Sequence, residues 1–162
     1  MSDKKNSKEP APIMADSQFQ LVTFHLGEEL YGVNIMDVKE IVRLQNVRVI
    51  PNAPYYVEGI INLRGEIVPI MNLRMKMGLE EIEETKSTRF IIIKMEKYGK
   101  IGLIVDAVKE VVALTDDQIE RTKYEASDET VHFVFGVGKV DSGLVSLLDL
   151  DTVTYDKSMK EE

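Results

Sequence analysis

Residues that could activate water, hold a metal ion or attack a substrate are scarce in this sequence. It contains two histidines, His25 and His132, and no cysteine. Each histidine stands alone within a strand-like pattern, which is more typical of a surface or internally bonded residue than of a metal ligand. Because cysteine is absent, neither a disulfide framework nor a thiolate metal site is available.

Carboxylates and glycines provide the remaining candidates, and none of them fits a known type of site. Glutamates crowd residues 76–87, which predicts a solvated acidic connector rather than a metal cluster. Asp149 and Asp151 lie in a strand-like run, which lacks the loop that calcium requires. The GVG at residues 136–138 lacks the third glycine of a dinucleotide-binding fingerprint, and GxSxG, HExxH and Walker motifs are absent. The sequence therefore predicts no enzyme, no cofactor and no metal site.

The composition is that of an acidic globular chain. A length of 162 residues suits one domain, or two small ones that share a core. The net charge is −8 and the basic residues are scattered, so we expect neither nucleic acid nor an anionic membrane as a partner. The polar start is not a secretory signal, and no run of about 18 apolar residues predicts a membrane span. We therefore expect a cytoplasmic protein without direct membrane insertion.

An internal repeat organises the chain. Residues 32–44 (GVNIMDVKEIVRL) align without a gap on residues 102–114 (GLIVDAVKEVVAL) and are identical at six of thirteen positions. A second match follows in the same order, since residues 59–73 align on residues 136–150 in their glycine, their apolar run and their closing Asn/Asp-Leu. Two matches in the same order predict a duplicated half-unit.

Short segments rich in β-branched and aromatic residues begin at Phe19 and predict strands separated by turns. Residues 36–42 carry no turn signal and predict a short helical turn, while Pro69 predicts a strand edge or a bulge. The pattern indicates two small antiparallel barrels or a sandwich, with a groove where the halves meet. The predicted hairpins lie within residues 20–35, 59–73, 89–108 and 131–150. A capped turn, starting at Thr115 or Asp116, is predicted at 115–119.

The tip of the second hairpin in each half is where the repeat is broken. Arg64 aligns with Asp141, so that equivalent turns carry opposite charges. A surface turn would accept either residue. An arginine on a short, rigid hairpin can also bind a partner's carboxylate or hold a nearby one in place, and we favour this interpretation.

The shared Val-Lys-Glu segments also differ in their setting. Asp37 and Glu40 have the spacing of a capping box at the start of a helical turn, whereas Glu110 lacks such a partner. Val38 and Val108 are predicted to be core or groove positions. An apolar groove between the halves would be suited to a partner helix.

At residues 33–41 (VNIMDVKEI), and above all at residues 57–74 (VEGIINLRGEIVPIMNLR), the sequence resembles the bacterial chemotaxis coupling proteins of the CheW family. The resemblance runs from about Phe19 to Asp151 and includes an intact GxxNLRG run at residues 59–65. It implies an all-β fold of two intertwined five-stranded SH3-like barrels with short helical turns. The implied CheW-like domain spans residues 18–155, with pseudo-repeats at about 18–75 and 88–152, a disordered tail at 1–17 and a polar tail at 156–162.

The resemblance also implies a scaffold that couples methyl-accepting chemoreceptors to the regulatory domain of the histidine kinase CheA, as a monomer that joins ring assemblies in arrays. It carries over a receptor-binding set near the NLRG turn: Ile35, Val38, Glu40, Ile41, Gly59, Asn62, Leu63 and Arg64. For the kinase it offers Val47, Val49 and Ile50. Two alternatives stay open from the residues, namely a barrel that binds another helix outside chemotaxis, and an enzyme with an unrecognised site.

Overall fold

The structure, a computed structural model, describes residues 18–121 and 133–155 and confirms the expected all-β fold. The strands are β1 (Gln18–Leu26), β2 (Glu29–Asn34), β3 (Val38–Arg43), β4 (Val57–Leu63), β5 (Glu66–Asn72), β6 (Arg89–Met95), β7 (Gly99–Val105), β8 (Ala107–Thr115), β9 (Ile119–Arg121), β10 (Val134–Val140) and β11 (Gly143–Leu148). The helices are α1 (Leu73–Lys76) and α2 (Leu150–Thr154), with 3-10 turns at Ile35–Asp37 and Asp116–Gln118.

All four predicted hairpins are present, as β1 with β2, β4 with β5, β6 with β7, and β10 with β11. Pro69 faces Ile60 of β4, one residue before β5 begins to pair with β7 at Ile70. The proline, which has no N–H to donate, therefore lies where its strand has a hydrogen-bonded neighbour on one side only. Thr115 forms the N-cap of the second 3-10 turn, as expected.

Several predictions concern residues outside the described ranges. They include the disordered tail at 1–17, the polar tail at 156–162 and His132. His25 is described and lies in β1, where it pairs with Leu30 of β2. It is a strand residue, as the sequence indicated.

The helical turn predicted at residues 36–42 is wrong beyond Asp37. The 3-10 turn ends there, and from Val38 the chain is strand β3, paired with β6. The expected capping box is also wrong, because the cap is Asn34, whose Oδ1 accepts a hydrogen bond from the Met36 N–H at 2.8 Å. Glu40 lies in the strand and takes no part in capping. Asp37 and Glu40 have the sequence spacing of a capping box, but the turn begins earlier, at Asn34, and ends at Asp37.

The strand predicted to run through Asp149 and Asp151 is also wrong, because β11 ends at Leu148. Asp149 is the N-cap of α2, and its Oδ1 accepts from the Thr152 N–H at 3.3 Å. Asn72 caps α1 in the same way. The closing Asn/Asp-Leu of the repeat is therefore a helix cap, since both side chains can accept from the first free N–H groups of a helix.

The strands form two sheets that exchange elements between the repeats. Sheet I has the order β9-β10-β11-β2-β1-β8, and sheet II has the order β3-β6-β7-β5-β4. Neighbours are antiparallel, except that β11 runs parallel to β2 and β5 runs parallel to β7. Sheet I thus takes β1 and β2 from the first repeat and the rest from the second, while sheet II does the reverse. The repeats at about 18–75 and 88–152 are intertwined, and neither of them corresponds to one sheet.

Both sheets curl so that their two ends approach each other. In sheet I, the end strands β8 and β9 are joined directly by the turn Asp116–Gln118. In sheet II, Arg48, which follows end strand β3, pairs with Ile60 of end strand β4 through bonds of 2.8 and 2.9 Å. The described pairings do not form a continuously hydrogen-bonded barrel. In sheet II the segment after β3 covers part of the edge of β4, which protects it from pairing with other molecules.

One core is shared between the sheets. Its largest cluster combines buried side chains of sheet I, such as Phe24 and Tyr31, with those of sheet II, such as Ile91 and Leu103. A smaller cluster surrounds Phe90 in sheet II, and another lies within sheet I. Because the main cluster needs both sheets, separating them would expose it, and we expect the two sheets to fold as one unit.

Candidate functional site

The repeated Val-Lys-Glu segment is a β-bulge in each sheet. In sheet II the pairing passes from Val38 with Ile93 directly to Glu40 with Ile92. In sheet I it also shifts by one residue, next to the pairing of Val108 with Phe24. A bulge adds one residue to a strand and re-aims the side chains that follow it. The shared sequence is therefore a shared backbone feature, placed on an end strand of each sheet.

The two bulges are held differently. In sheet I the hydroxyl of Thr23 donates to the backbone oxygen of Glu110 at 2.7 Å and accepts from its N–H at 3.1 Å. Thr23 is fully buried. In sheet II the residue opposite the bulge is Ile92, which has no hydroxyl, and Glu40 instead makes a contact through its side chain. The bulge near Glu110 is a backbone structure, whereas the one near Glu40 presents a carboxylate.

Arg64 is the partner of that carboxylate. It forms the tip of the β4–β5 hairpin with Gly65, and both residues have positive φ, at 51° and 89°. These values define a type I′ turn, whose twist matches that of the flanking strands. The side chain of Asn62 secures the turn by accepting the Gly65 N–H at 2.8 Å. From this position the Arg64 Nη2 donates to the Glu40 Oε2 in an ion pair.

The ion pair joins the two ends of sheet II, because Glu40 lies on β3 and Arg64 follows β4. Its arginine side chain is 67% exposed and its glutamate 28%. An ion pair this exposed contributes about 0–1 kcal/mol to stability, so stability alone gives little reason for it. At the equivalent places, sheet I carries Glu110 and Asp141, two carboxylates that cannot pair in this way. The sequence prediction that Arg64 could hold a nearby carboxylate is matched by this geometry.

Two of the residues expected at the site are buried. Gly59 has φ of 147°, and a Cβ there would lie 2.1 Å from the backbone oxygen of Arg48. Leu63 is 5% exposed and packs in the core of sheet II. Gly59 permits the close approach that covers the edge of sheet II, and Leu63 anchors the hairpin that carries Arg64. Both residues are buried, so they support the backbone of the site and are not part of its exposed surface.

The other expected residues divide between two neighbouring places. Ile41 on β3 is 40% exposed, and Asn62 is exposed beside Arg64. Ile35 and Val38 are half-buried against the shared core, at the point where the chain passes from sheet I to sheet II. The site thus has a polar tip and a half-buried apolar flank along β3.

The residues expected to contact a kinase follow β3 along the chain. Val47 is half-buried against the core of sheet II, while Val49 is 76% and Ile50 is 37% exposed. Val49 and Ile50 are solvent-facing apolar side chains next to the covered edge of sheet II. Such side chains are suited to burial against another protein.

One exposed apolar residue of this region was missed by the sequence reasoning. Ile67 on β5 pairs across the hairpin with Asn62 and is 59% exposed. Its counterpart in the other sheet, Leu144, is 60% exposed. The signal was strand alternation, because the next residue, Val68, is fully buried and neighbours on a strand face opposite sides.

A second missed feature is an ion pair that fastens the two sheets together. The Arg74 guanidinium donates to both carboxylate oxygens of Asp106, at 2.8 Å from Nη2 and 3.0 Å from Nε. Asp106 also accepts the Gly27 N–H, from the β1–β2 turn of sheet I, at 2.6 Å. Burial would raise the pKa of Asp106, but the bonds from Arg74 and Gly27 and the charge of Arg74 hold that pKa below its ordinary value of 3.8. The carboxylate is ionised and links the sheets.

Metal ligation and membrane crossing find no support in residues 18–121 and 133–155. These ranges contain no group of three or more histidine, aspartate or glutamate side chains arranged to hold a metal ion. No helix in them has the length and apolar content needed to cross a membrane. The arrangement at Arg64 presents an oriented cation, paired with a carboxylate, beside apolar side chains.

Comparison with known proteins identifies the family of the chain. A family model for the CheW-like domain matches residues 20–158. The chain belongs to the CheW-like family. It is 39% identical to the chemotaxis protein CheW of Treponema pallidum over 90% of this chain and 88% of that protein. It is 36% identical to the chemotaxis protein CheW of Rhizobium meliloti over 83% of this chain and 86% of the relative.

A solved CheW structure has the same fold. The scaffolding protein TtCheW of Thermoanaerobacter tengcongensis superposes with a TM-score of 0.80 and 35% identity, covering 87% of this chain and 95% of the other. The family assignment and the fold expected from sequence are thereby confirmed. These relatives are named for chemotaxis and, in the case of TtCheW, for scaffolding.

Proposed function

We propose that this chain couples methyl-accepting chemoreceptors to the histidine kinase CheA, and that receptors control kinase activity through it. The observation that carries the proposal is the Arg64–Glu40 ion pair, an oriented and largely exposed cation on a rigid turn. It occurs in one sheet, while the repeat carries two carboxylates at the same place. A feature absent from the duplicate is better explained by a task of its own than by the needs of the fold.

The receptor would lie along β3 and the tip of the β4–β5 hairpin. Arg64 has five N–H donors, and its bond to Glu40 leaves others free for a carboxylate of the receptor. The apolar flank at Ile35, Val38 and Ile41 is suited to one face of a receptor helix. Affinity would come mainly from the apolar contacts, while Arg64 would fix the register of the helix.

The kinase would bind the exposed apolar side chains that follow β3. Val49 and Ile50 lie on the segment that covers the edge of sheet II, and Val47 supports them from the core. Burial of a few such side chains at the centre of an interface supplies most of its binding free energy. Because the receptor and kinase surfaces are adjacent but separate, one chain can hold both partners.

The mechanism requires no bond chemistry. Holding two partners on one rigid body raises their effective concentration and fixes their relative orientation. Receptor state reaches the kinase if the contacts differ between signalling states, which is a coupling free energy. We place the chain in the cytoplasm, as a monomer when isolated and as part of ring assemblies in membrane-associated receptor arrays.

Reconstitution tests the proposal. Purified chain is mixed with a receptor cytoplasmic fragment and CheA, and complex formation and kinase activity are measured with and without each component. We expect a ternary complex and receptor-dependent kinase activity that requires this chain. Binding to neither partner would refute the proposal. It would favour an acidic helix-binding protein that acts outside chemotaxis.

A further inference from the structure

A second ion pair holds the tip of the β4–β5 hairpin. Glu66, the first residue of β5, accepts a hydrogen bond at 2.5 Å from the Nζ of Lys100 on β7. The lysine side chain is 26% exposed and the glutamate side chain is 59% exposed. The tip is therefore joined to the end strand β3 through Arg64 and to the inner strand β7 through Glu66.

Glu66 is also placed to compete for Arg64. Only Gly65 separates the two residues along the chain. The hydrogen bond and the charge of Lys100, and then the charges of Arg64 and Lys94, lower the pKa of Glu66 from its ordinary value of 4.5. A Glu66 carboxylate released by Lys100 would be ionised at neutral pH and would attract the neighbouring guanidinium. It would always remain near that guanidinium, because both belong to one turn.

The duplicated half lacks this second pair. Gly143 and Leu30 stand at the positions of Glu66 and Lys100. The parallel pairing of β11 with β2 has the same register as that of β5 with β7, which supports this equivalence. The hairpin tip of sheet I carries Asp141 instead of an arginine. The lysine–glutamate pair therefore occurs only beside the cationic tip, and the hairpin itself does not require it.

We propose that Lys100 is a positioning residue for Arg64. By holding Glu66 against β7, Lys100 keeps a competing carboxylate away from the Arg64 guanidinium. The guanidinium is then left to Glu40 and to a carboxylate of the receptor. Lys100 need not touch the receptor to have this effect. The inference rests on the proposed function and adds a residue that lies outside the receptor-binding set at the turn.

Replacing Lys100 with methionine, which has a similar size and no charge, tests this role. The measurement is calorimetric titration of the full-length chain with a receptor cytoplasmic fragment. Because an exposed ion pair competes only modestly, Lys100→Met should raise the Kd about two- to fivefold. Lys100→Arg should keep the native Kd, since a guanidinium can also hold Glu66. An unchanged Kd in Lys100→Met would overturn the inference.

Two further variants separate positioning from direct contact and from local charge. Adding Glu66→Gln to Lys100→Met should restore the native Kd, because no competing carboxylate remains; a Kd that stays raised would overturn the inference. Lys94→Met is the matched control, since Lys94 lies opposite Lys100 on β6 and acts on Glu66 through its charge alone. It should leave the Kd unchanged. An equal loss in Lys94→Met would identify a general charge effect and would also contradict positioning.

Nuclear Overhauser contacts of the Arg64 side chain decide the inference without a receptor. In the native chain they should connect Arg64 with Glu40. In Lys100→Met they should move to Glu66, and the double variant with Glu66→Gln should recover the native contacts. Contacts with Glu40 that persist in Lys100→Met would refute the role of Lys100. If the native chain binds no receptor fragment, the proposed function fails, and these contacts still show whether Lys100 positions Arg64.

Discussion

Replacing Arg64 with asparagine should separate the stability of this protein from its coupling activity. Arg64 is one of two non-glycine residues of the described chain with positive φ, at 51°. A left-handed backbone costs an ordinary residue about 1–2 kcal/mol, and asparagine tolerates it better. Arg64→Asn also creates Asn-Gly, the preferred sequence of a type I′ turn. The turn should therefore become more favourable.

The loss of the ion pair acts in the opposite direction and is of similar size. The Arg64–Glu40 pair is largely exposed on the arginine side and is worth about 0–1 kcal/mol. The net change should stay within about 1 kcal/mol, which is a shift of about 2–4 °C in Tm for a chain of this length. Receptor binding should fall much further. Loss of a central charged contact costs about 2 kcal/mol or more, or about thirtyfold in Kd.

The assays are thermal unfolding by circular dichroism, calorimetric titration of a receptor fragment, and kinase activity in the reconstituted complex. Asp141→Asn is the matched control, because it removes a charge from the equivalent hairpin tip and should leave receptor binding unchanged. A large fall in Tm with unchanged affinity would refute the reasoning and identify Arg64 as a residue of the turn alone.

Three further predictions concern other residues. Glu40→Gln should weaken receptor coupling and Glu110→Gln should not, since only the former removes the partner of Arg64; equal losses in the reconstituted kinase assay would make the repeated segment scaffold alone. Gly59→Ala should lower the free energy of unfolding by about 2 kcal/mol or more, because its Cβ would lie 2.1 Å from a backbone oxygen. Gly78→Ala, at φ of 81° with open space around it, should cost only about 1 kcal/mol in the same denaturant titration. Asp106 has a lowered pKa in the folded state, so its contribution should be fully present above its ordinary value of 3.8 and decline as pH falls below it. The stability difference between the native chain and Asp106→Asn should shrink in acid, and a difference that is constant down to full protonation would contradict the assignment.

The strands and the repeat could be predicted because their signals are local. Alternation of apolar residues and turn residues marked all four hairpins, and the internal alignment identified equivalent positions. The exchange of strands between sheets could not be predicted, because pairing between β3 and β6 joins residues as distant as Val38 and Ile93. The local sequence patterns of β3 and β6 do not specify that these two strands pair.

The candidate site was predictable in part for the same reason. The singular charge of Arg64 stood out against Asp141, but its partner lies 24 residues away on the other end strand of sheet II. Glu40 was misassigned to a capping box because two patterns competed for the same residues, and Asn34 began the turn first. The clamp of Arg74 on Asp106 depends on how the sheets meet, which is a property of the shared core.

The two passages between the sheets differ in a way that bears on signalling. The chain returns to sheet I at Asp106, which is fastened by Arg74 and by the Gly27 N–H. It leaves sheet I at the turn Ile35–Asp37, where the residue equivalent to Asp106 is Met36, which is uncharged and 83% exposed. The proposed receptor surface includes Ile35 of this turn and continues along β3. If receptor binding displaces β3, the displacement would therefore be accommodated most easily at Met36. The ion pair of Arg74 with Asp106 keeps the other passage fixed. Residue 151 is the counterpart of Arg74 in the repeat, so the double variant Met36→Asp, Asp151→Arg would rebuild the clamp there. If movement at this passage carries receptor state, that variant should bind receptor and kinase normally, as measured by calorimetric titration, and lose receptor control of kinase activity. Unchanged control with both partners bound would show that the signal does not pass through this turn.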